Sequence, residues 1–228
     1  RILFLELSPE DAGKPIRIDY KVTRLEKSPY PADTPDALYT ATSPLSPVGG
    51  RFYDIAAEIL EGKTSEGELE KARAIYDYVV ESVRYAKQGK YGTGDANFAC
   101  DEKSGNCTEF HSLFISLARS AGIPARFAIG AAIPSNRDEG GMDGYHCWAE
   151  FYAEGKWWPV DISEANKYSD LATYYFGHHP ANRFQLSRGR DLKVIDGPGE
   201  GTIPFLAFPY FEAENEARVI KATFEFSR

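Results

Sequence analysis

Residues 145–162 constrain the fold most. They read Tyr-His-Cys-Trp-Ala-Glu-Phe-Tyr, then Ala-Glu-Gly-Lys, then Trp-Trp-Pro-Val-Asp-Ile. Aromatic and β-branched runs on either side of a glycine-containing turn predict an antiparallel hairpin. A connection of two residues (154–155) or of four (153–156) gives one and the same register, with Asp161 opposite Trp148. Residues opposite one another share a sheet face, so Tyr145, Cys147, Ala149, Phe151, Trp158, Val160 and Ile162 fall on one apolar side. His146, Trp148, Glu150, Tyr152, Trp157, Pro159 and Asp161 fall on the other. A three-residue turn without a bulge would instead bury Asp161 beside Cys147 and Ala149, and is rejected. In the preferred register His146 and Asp161 are diagonal neighbours, about 7–8 Å apart between backbones and within reach of a side-chain hydrogen bond. Pro159 points to an edge strand or a bulge.

The strongest helical pattern precedes this hairpin. From Cys107, the residues Phe110, Leu113, Phe114, Leu117, Ala118 and Ala121 recur at helical spacing, and Gly122 and Pro124 end the run. Two further helices are predicted near 51–61 and 66–83, the second with Leu69, Ala72, Tyr76, Val79 and Val83 on one face. Residues 125–133 read as a strand, as do 203–211 and 217–226 in the tail. At the N-terminus, 2–7 and the cleanly alternating 16–22 give two β signals, and the proline-rich composition of 28–50 reads as a linker or surface loop. Residues 86–106 read as a long polar loop of the kind that walls or covers a cleft. The class is α+β, with helices packed on an antiparallel sheet. Residues 1–50 are expected as an N-terminal β segment and linker, and 51–228 as one catalytic domain including the C-terminal strands.

Composition narrows the function. Of 228 residues, 43% are hydrophobic and 14% aromatic, enough for a packed core. The 26 Lys and Arg against 34 Asp and Glu leave a net charge of −8 with no basic block, which argues against a nucleic-acid partner. No apolar run reaches the ~18–20 residues needed to span a bilayer. The single methionine is Met142, so the sequence is expected to be a processed or trimmed product. Three cysteines, Cys100, Cys107 and Cys147, are too few for a disulfide scaffold, and the odd count leaves at least one thiol unpaired.

Cys107 stands at a chemically special place. Asn106 is a good N-cap and Glu109 completes a capping-box pattern, so the helix is predicted to begin at Cys107. A thiol in a first turn sits among unpaired N–H groups at the positive end of the helix dipole, which favours the thiolate. The same N–H groups could hold an oxyanion formed on attack at a carbonyl. A lone cysteine can equally be a buried structural residue. His146 and Asp161, taken singly, also have ordinary structural readings. Together the three supply nucleophile, base and orienting carboxylate, the set that nucleophilic acyl chemistry requires.

Other chemistry is weaker. Gly89, Gly92 and Gly94 do not follow a phosphate-cradling spacing, and Asp95, Asn97 and Asp101 lack the glycine of a calcium loop. Cys107 and His111 lie four residues apart on one helix and could bind metal with His146, Cys147 or Cys100, although His111 reads better as a packed or locally bonded side chain. His178 and His179 read as loop. No metal and no cofactor are expected. Asn106-Cys107-Thr108 matches a glycosylation sequon, at a helix cap that leaves no room for a glycan. Cys100 and Cys147 would pair in an oxidising compartment, leaving Cys107 free.

The sequence resembles the transglutaminase-like superfamily, which shares a papain-like α+β arrangement. The matching stretches are Gly-Asn-Cys-Thr-Glu-Phe-His-Ser-Leu-Phe at 105–114, Ala-Gly-Ile-Pro-Ala-Arg-Phe at 121–127, His-Cys-Trp-Ala-Glu-Phe-Tyr at 146–152 and Trp-Trp-Pro-Val-Asp-Ile at 157–162. They cover about 66–165 and occur in order. Cys147 stands where the family commonly has Ala, and Ile162 where Pro often follows the Asp. The resemblance implies Cys107 as nucleophile, His146 as general base and Asp161 as the residue orienting it. It implies a thioester acyl-enzyme on a peptide or amide substrate and, as in bacterial members of this type, hydrolysis. The alternatives are acyl transfer from glutamine to an amine and a non-catalytic binding module. Tyr145, Trp148 and Tyr91 are expected to line the substrate cleft. The expected location is periplasmic or extracellular, with cytoplasmic the alternative.

Overall fold

The computed structural model describes residues 3, 5–63, 65–142, 144–193, 202–213, 216–219 and 222–228. Along the chain come β1 (Tyr30–Pro31), α1 (Arg51–Ile59), α2 (Glu68–Ser82), β2 (Arg84–Tyr85), α3 (Ala96–Glu102), β3 (Ser104–Gly105), α4 (Cys107–Ser120) and β4 (Ala125–Ala132). Then follow β5 (Glu139–Gly141), β6 (His146–Ala153), β7 (Lys156–Val160), α5 (Ile162–Lys167), β8 (Arg183–Arg188), β9 (Tyr210–Ala213), β10 (Glu216–Val219) and β11 (Glu225–Ser227). The fold is α+β. A five-stranded antiparallel sheet of order β1-β7-β6-β4-β8 packs one face against α4, which the other main helices surround.

The hairpin forms in the expected register, Ala149 opposite Val160 and Ala153 opposite Lys156. Its turn is Glu154-Gly155, both at positive φ (53° and 74°), the two-residue geometry whose twist matches the flanking strands. Cys147, Ala149, Phe151, Val160 and Ile162 enter the core with Tyr145 and Trp158 packed at its edge, as the alternation requires. Pro159 does not put β7 at the sheet edge. The two residues of β1 pair beyond it, at Trp157 and Lys156.

The second face of the sheet is buried too. Arg126 and Glu150 are cross-strand partners, and the Arg126 Nε donates to the Glu150 carboxylate at 2.9 Å. Tyr30 Oη donates to the same carboxylate at 2.9 Å and Lys27 pairs with it, which draws the N-terminal segment over this face. Burial works against the Glu150 charge, but Lys27 and Arg126 outweigh it and hold the pKa at about 2. Arg126 also lies over the Trp157 ring, 3.6 Å from its centroid.

Four expectations need correction. Residues 16–22 form no strand, and neither do residues 3 and 5–7. Ile16, Ile18, Tyr20 and Val22 are exposed, because alternation yields a strand only where a free sheet edge accepts it. The expected N-terminal β extension is therefore reduced to Tyr30–Pro31 among the described residues. The loop at 86–106 contains α3, where Asp95 accepts from the Asn97 amide at 2.8 Å and Ala96, Ala99 and Cys100 are buried. In the tail, strands occupy 210–213, 216–219 and 225–227 rather than 203–211 and 217–226, and residues 220 and 221 lie outside the described ones. Finally, all three cysteines are free thiols: Cys100 lies 3.0 Å from the Arg51 guanidinium, whereas Cys147 lies against His111.

Among the described residues no helix is long and apolar enough to cross a membrane.

Candidate active site

The start of α4 is built as the sequence predicts. The Asn106 Oδ1 accepts from the Thr108 amide at 2.8 Å, and the Glu109 Oε2 accepts from the Asn106 amide at 2.9 Å, closing the capping box. Glu109 does more than cap. Its Oε1 accepts from the amides of Gly92 and Gly94 at 2.8 and 2.7 Å, fastening the preceding loop over the helix terminus. Gly105 makes room for this. A methyl group there would stand 2.4 Å from Glu109 Cβ, and Glu109 cannot swing aside without releasing the loop. Gly105→Ala is therefore expected to cost about 1–3 kcal/mol and to lower the melting temperature; an unchanged melting temperature would show that the loop is anchored elsewhere.

Cys107, His146 and Asp161 come together. Asp161 follows β7 directly and caps α5, its Oδ1 accepting from the Glu164 amide and the Ser163 hydroxyl at 3.2 Å each. Its Oδ2 lies 2.6 Å from His146 Nε2, and the His146 ring is near enough to the Cys107 thiol for each to shift the other's pKa. With Nε2 committed to the carboxylate, Nδ1 is the nitrogen left for the sulfur. The predicted diagonal contact thus exists, although Asp161 sits at a helix cap and not within the ladder. Asp161 is fully buried, and Arg183 Nε lies 3.5 Å from Oδ2. Burial opposes its charge, but His146 and Arg183 outweigh that and keep it well below the usual carboxylate range. His146 gains in return. Burial alone would discharge it, yet Asp161 and Cys107 raise its pKa to about 9. The Cys107 thiol is lowered, first by a hydrogen bond from Cys147 and then, against burial, by His146. Both shifts favour a thiolate beside an imidazolium.

His111 is locked in one neutral form. The Ile162 amide donates to Nε2 at 3.0 Å, so Nδ1 carries the proton and donates to the Cys107 carbonyl at 2.6 Å. Burial holds its pKa down. Both nitrogens are spent tying the Cys107 turn to the residue after Asp161, which removes His111 as a metal ligand. Among the described residues no group of three or more His, Cys, Asp or Glu is arranged to hold a metal. His178 stacks on Tyr174, and the buried His179 meets Trp148 edge-on at 4.8 Å.

The residues expected to line the cleft divide. Tyr145 adjoins the site: its hydroxyl and the Asn106 side chain both lie against Gly92, and its ring meets Phe205 and Phe208 at 5.2 and 5.9 Å. Tyr91 is an exposed residue of the covering loop. Trp148 lines nothing accessible. At 1% exposure it fills the second sheet face, because that face is covered and not open as a polar face would be. Cys107 and His146 are themselves only 4% and 8% exposed, so any molecule that reaches them must displace part of the cover. Arg190 clamps that cover, donating to the carbonyls of Thr93 and Gly94 at 2.8 and 3.1 Å. Glu109 as loop anchor was half visible in the capping box. Arg183 beside Asp161 left no mark in the sequence, since β8 is far along the chain.

Residues 53–162, just under half of the chain, match the sequence profile of the transglutaminase-like superfamily. This segment resembles a transglutaminase-like core. An uncharacterized protein of Haemophilus influenzae is 28% identical over 209 residues, 76% of this chain and 56% of its own length. Among solved structures, a candidate cysteine protease from Cytophaga hutchinsonii is 22% identical, covering 69% of this chain and 48% of that one, with a TM-score of 0.49. The periplasmic domain of TgpA from Pseudomonas aeruginosa is 19% identical, covering 59% and 48%, with a TM-score of 0.41. The chain thus spans about half the length of these relatives. Cys107, Glu109, His111, His146 and Asp161 all fall within the matched residues.

Proposed function

We propose that this protein hydrolyses a peptide or amide bond through a thioester on Cys107. The observation that carries the reading is the Asp161–His146 contact at 2.6 Å, with Cys107 beside that imidazole as the first residue of a buried, capped helix. The thiolate attacks the scissile carbonyl. Charge then gathers on the carbonyl oxygen, and the helix offers a donor for it: the Asn106 side chain takes the amides of Thr108 and Glu109, leaving that of Cys107 for the oxyanion. His146, protonated in the resting pair, gives its proton to the leaving amine, and the acyl group remains on sulfur. As a neutral base it next takes a proton from water, which attacks the thioester and frees the acid and the thiol. Asp161 holds the ring oriented and its positive form favoured throughout.

Acyl transfer to an amine would use the same thioester, so product analysis separates the two. A glutamine-containing peptide incubated with and without a primary amine is expected to yield acid by cleavage or deamidation in both cases. Amide product alone, with no acid formed, would overturn hydrolysis in favour of transfer.

A further inference from the structure

Cys147 takes no part in the chemistry above, yet the His111 ring brings its thiol to the same turn as Cys107, where it is the largest influence lowering the Cys107 thiol. It lies on β6 beside His146, on the sheet face that packs against α4. His111 fixes its place. Cys147 Sγ is 3.6 Å from the His111 Nδ1 that bonds the Cys107 carbonyl at 2.6 Å, so the second thiol sits over the first turn of the nucleophile's own helix. An alanine would suffice to fill this corner of the core, where the next inward residue of β6 is Ala149. The third cysteine is an internal contrast: Cys100 is equally buried, but its sulfur faces the Arg51 guanidinium and no second thiol.

We propose that Cys107 and Cys147 form a reversible oxidative modification site, in which hydrogen peroxide oxidises Cys107 and Cys147 closes a disulfide upon it. The consequence for activity rests on the thioester reading; the disulfide itself does not. In the first step the Cys107 thiolate attacks one peroxide oxygen, an S–O bond forms and the O–O bond breaks. Sulfur is oxidised by two electrons to the sulfenic acid, and the departing hydroxide takes the proton of His146 to leave as water. In the second step the Cys147 sulfur gives up its proton and attacks the sulfenic sulfur. The S–S bond forms, the S–O bond breaks, and a second water leaves. Two thiols and one peroxide thus become one disulfide and two waters, and two equivalents of a thiol reductant reverse the change. The asymmetry of the pair suits the roles. Cys107 is held as thiolate and slightly exposed, which makes it the sulfur oxidised first, whereas burial pushes the Cys147 thiol well up and keeps it as the protonated partner. Closure removes the nucleophile, and it spares Cys107 from further, irreversible oxidation.

The test is peptide mapping by mass spectrometry, without reduction, of the intact chain treated with hydrogen peroxide and then alkylated. The expected product is a Cys107–Cys147 disulfide with Cys100 alkylated, reopened by dithiothreitol with full return of hydrolysis. In Cys147→Ser, and in Cys147→Ala as a second variant checked for cooperative thermal unfolding, peroxide is expected to carry Cys107 to sulfinic and sulfonic acid. Activity, measured relative to each untreated variant, is then lost beyond rescue by dithiothreitol. Sulfinic acid on Cys107 of the wild-type chain with Cys147 still free, or a bridge involving Cys100, would overturn the proposal. A Cys107–Cys147 disulfide in a chain that hydrolyses nothing would leave this site standing and overturn the thioester reading instead.

Discussion

Cys107→Ala is expected to lower kcat/KM for peptide hydrolysis by about 10^4- to 10^6-fold, the range seen when a nucleophile that acts with a base is removed. The loss is in chemistry and not in folding. Cys107 is a small, nearly buried side chain whose sulfur alone is removed, so the melting temperature should move by no more than a core trimming of about 1 kcal/mol would cause. Cys107→Ser tests the same point differently, since a hydroxyl in the same place is not ionised by a neighbouring imidazole as a thiol is. Steady-state kinetics with thermal unfolding measure both. Hydrolysis at the wild-type rate in either variant would return the chain to the reading of a binding module on the same fold.

Asp161→Asn is expected to cost about 10^4-fold in kcat and, more tellingly, to move the pH profile. In the wild type the productive pair needs Cys107 ionised and His146 protonated. The plateau therefore runs from the lowered thiol value up to the raised imidazole value of about 9, above which His146 loses the proton it must give to the leaving amine. Asp161 is the largest source of that rise, so without its charge the alkaline limb should fall back towards the ordinary imidazole value of 6.5. Stability follows the same sign. A group whose pKa is raised on folding stabilises the native state fully below its unfolded value of 6.5, and that contribution is lost as pH climbs through about 9. The residual activity of the variant, followed across pH, reads the limb directly; an alkaline limb still near 9 would show that Asp161 does not set the charge of His146.

The site was legible where chemistry is local and the core where alternation is two-sided. Asn106 and Glu109 announce a capped helix, and the capping bonds follow from residues three apart. The hairpin register followed from burying one apolar face, and it brought His146 and Asp161 within reach before any coordinate was known. What escaped depends on partners distant in the chain. The alternation at 16–22 is as clean as that of β6, but no sheet edge receives it, and nothing in those seven residues reports the absence of a partner. Trp148 looked like a cleft residue because Glu150 and His146 share its face. That face is closed by Lys27, Tyr30 and His179, whose attraction to it is a buried ion cluster and a ring contact made across more than thirty residues of chain. The approach of Cys147 to the first turn of α4 was hidden for a related reason. Inward-facing positions on β6 are legible from the hairpin, but which turn of α4 they meet depends on the packing of helix on sheet.

Intact-mass spectrometry after rapid acid quench tests the thioester on Cys107 most directly. With a slowly hydrolysed peptide or activated amide, the expected result is a transient adduct of the acyl mass, mapped to Cys107, absent from Cys107→Ala and decaying to free thiol as acid product appears. Turnover of the same substrate with no acyl adduct at any time, or an adduct borne by Cys100 or Cys147, would contradict it.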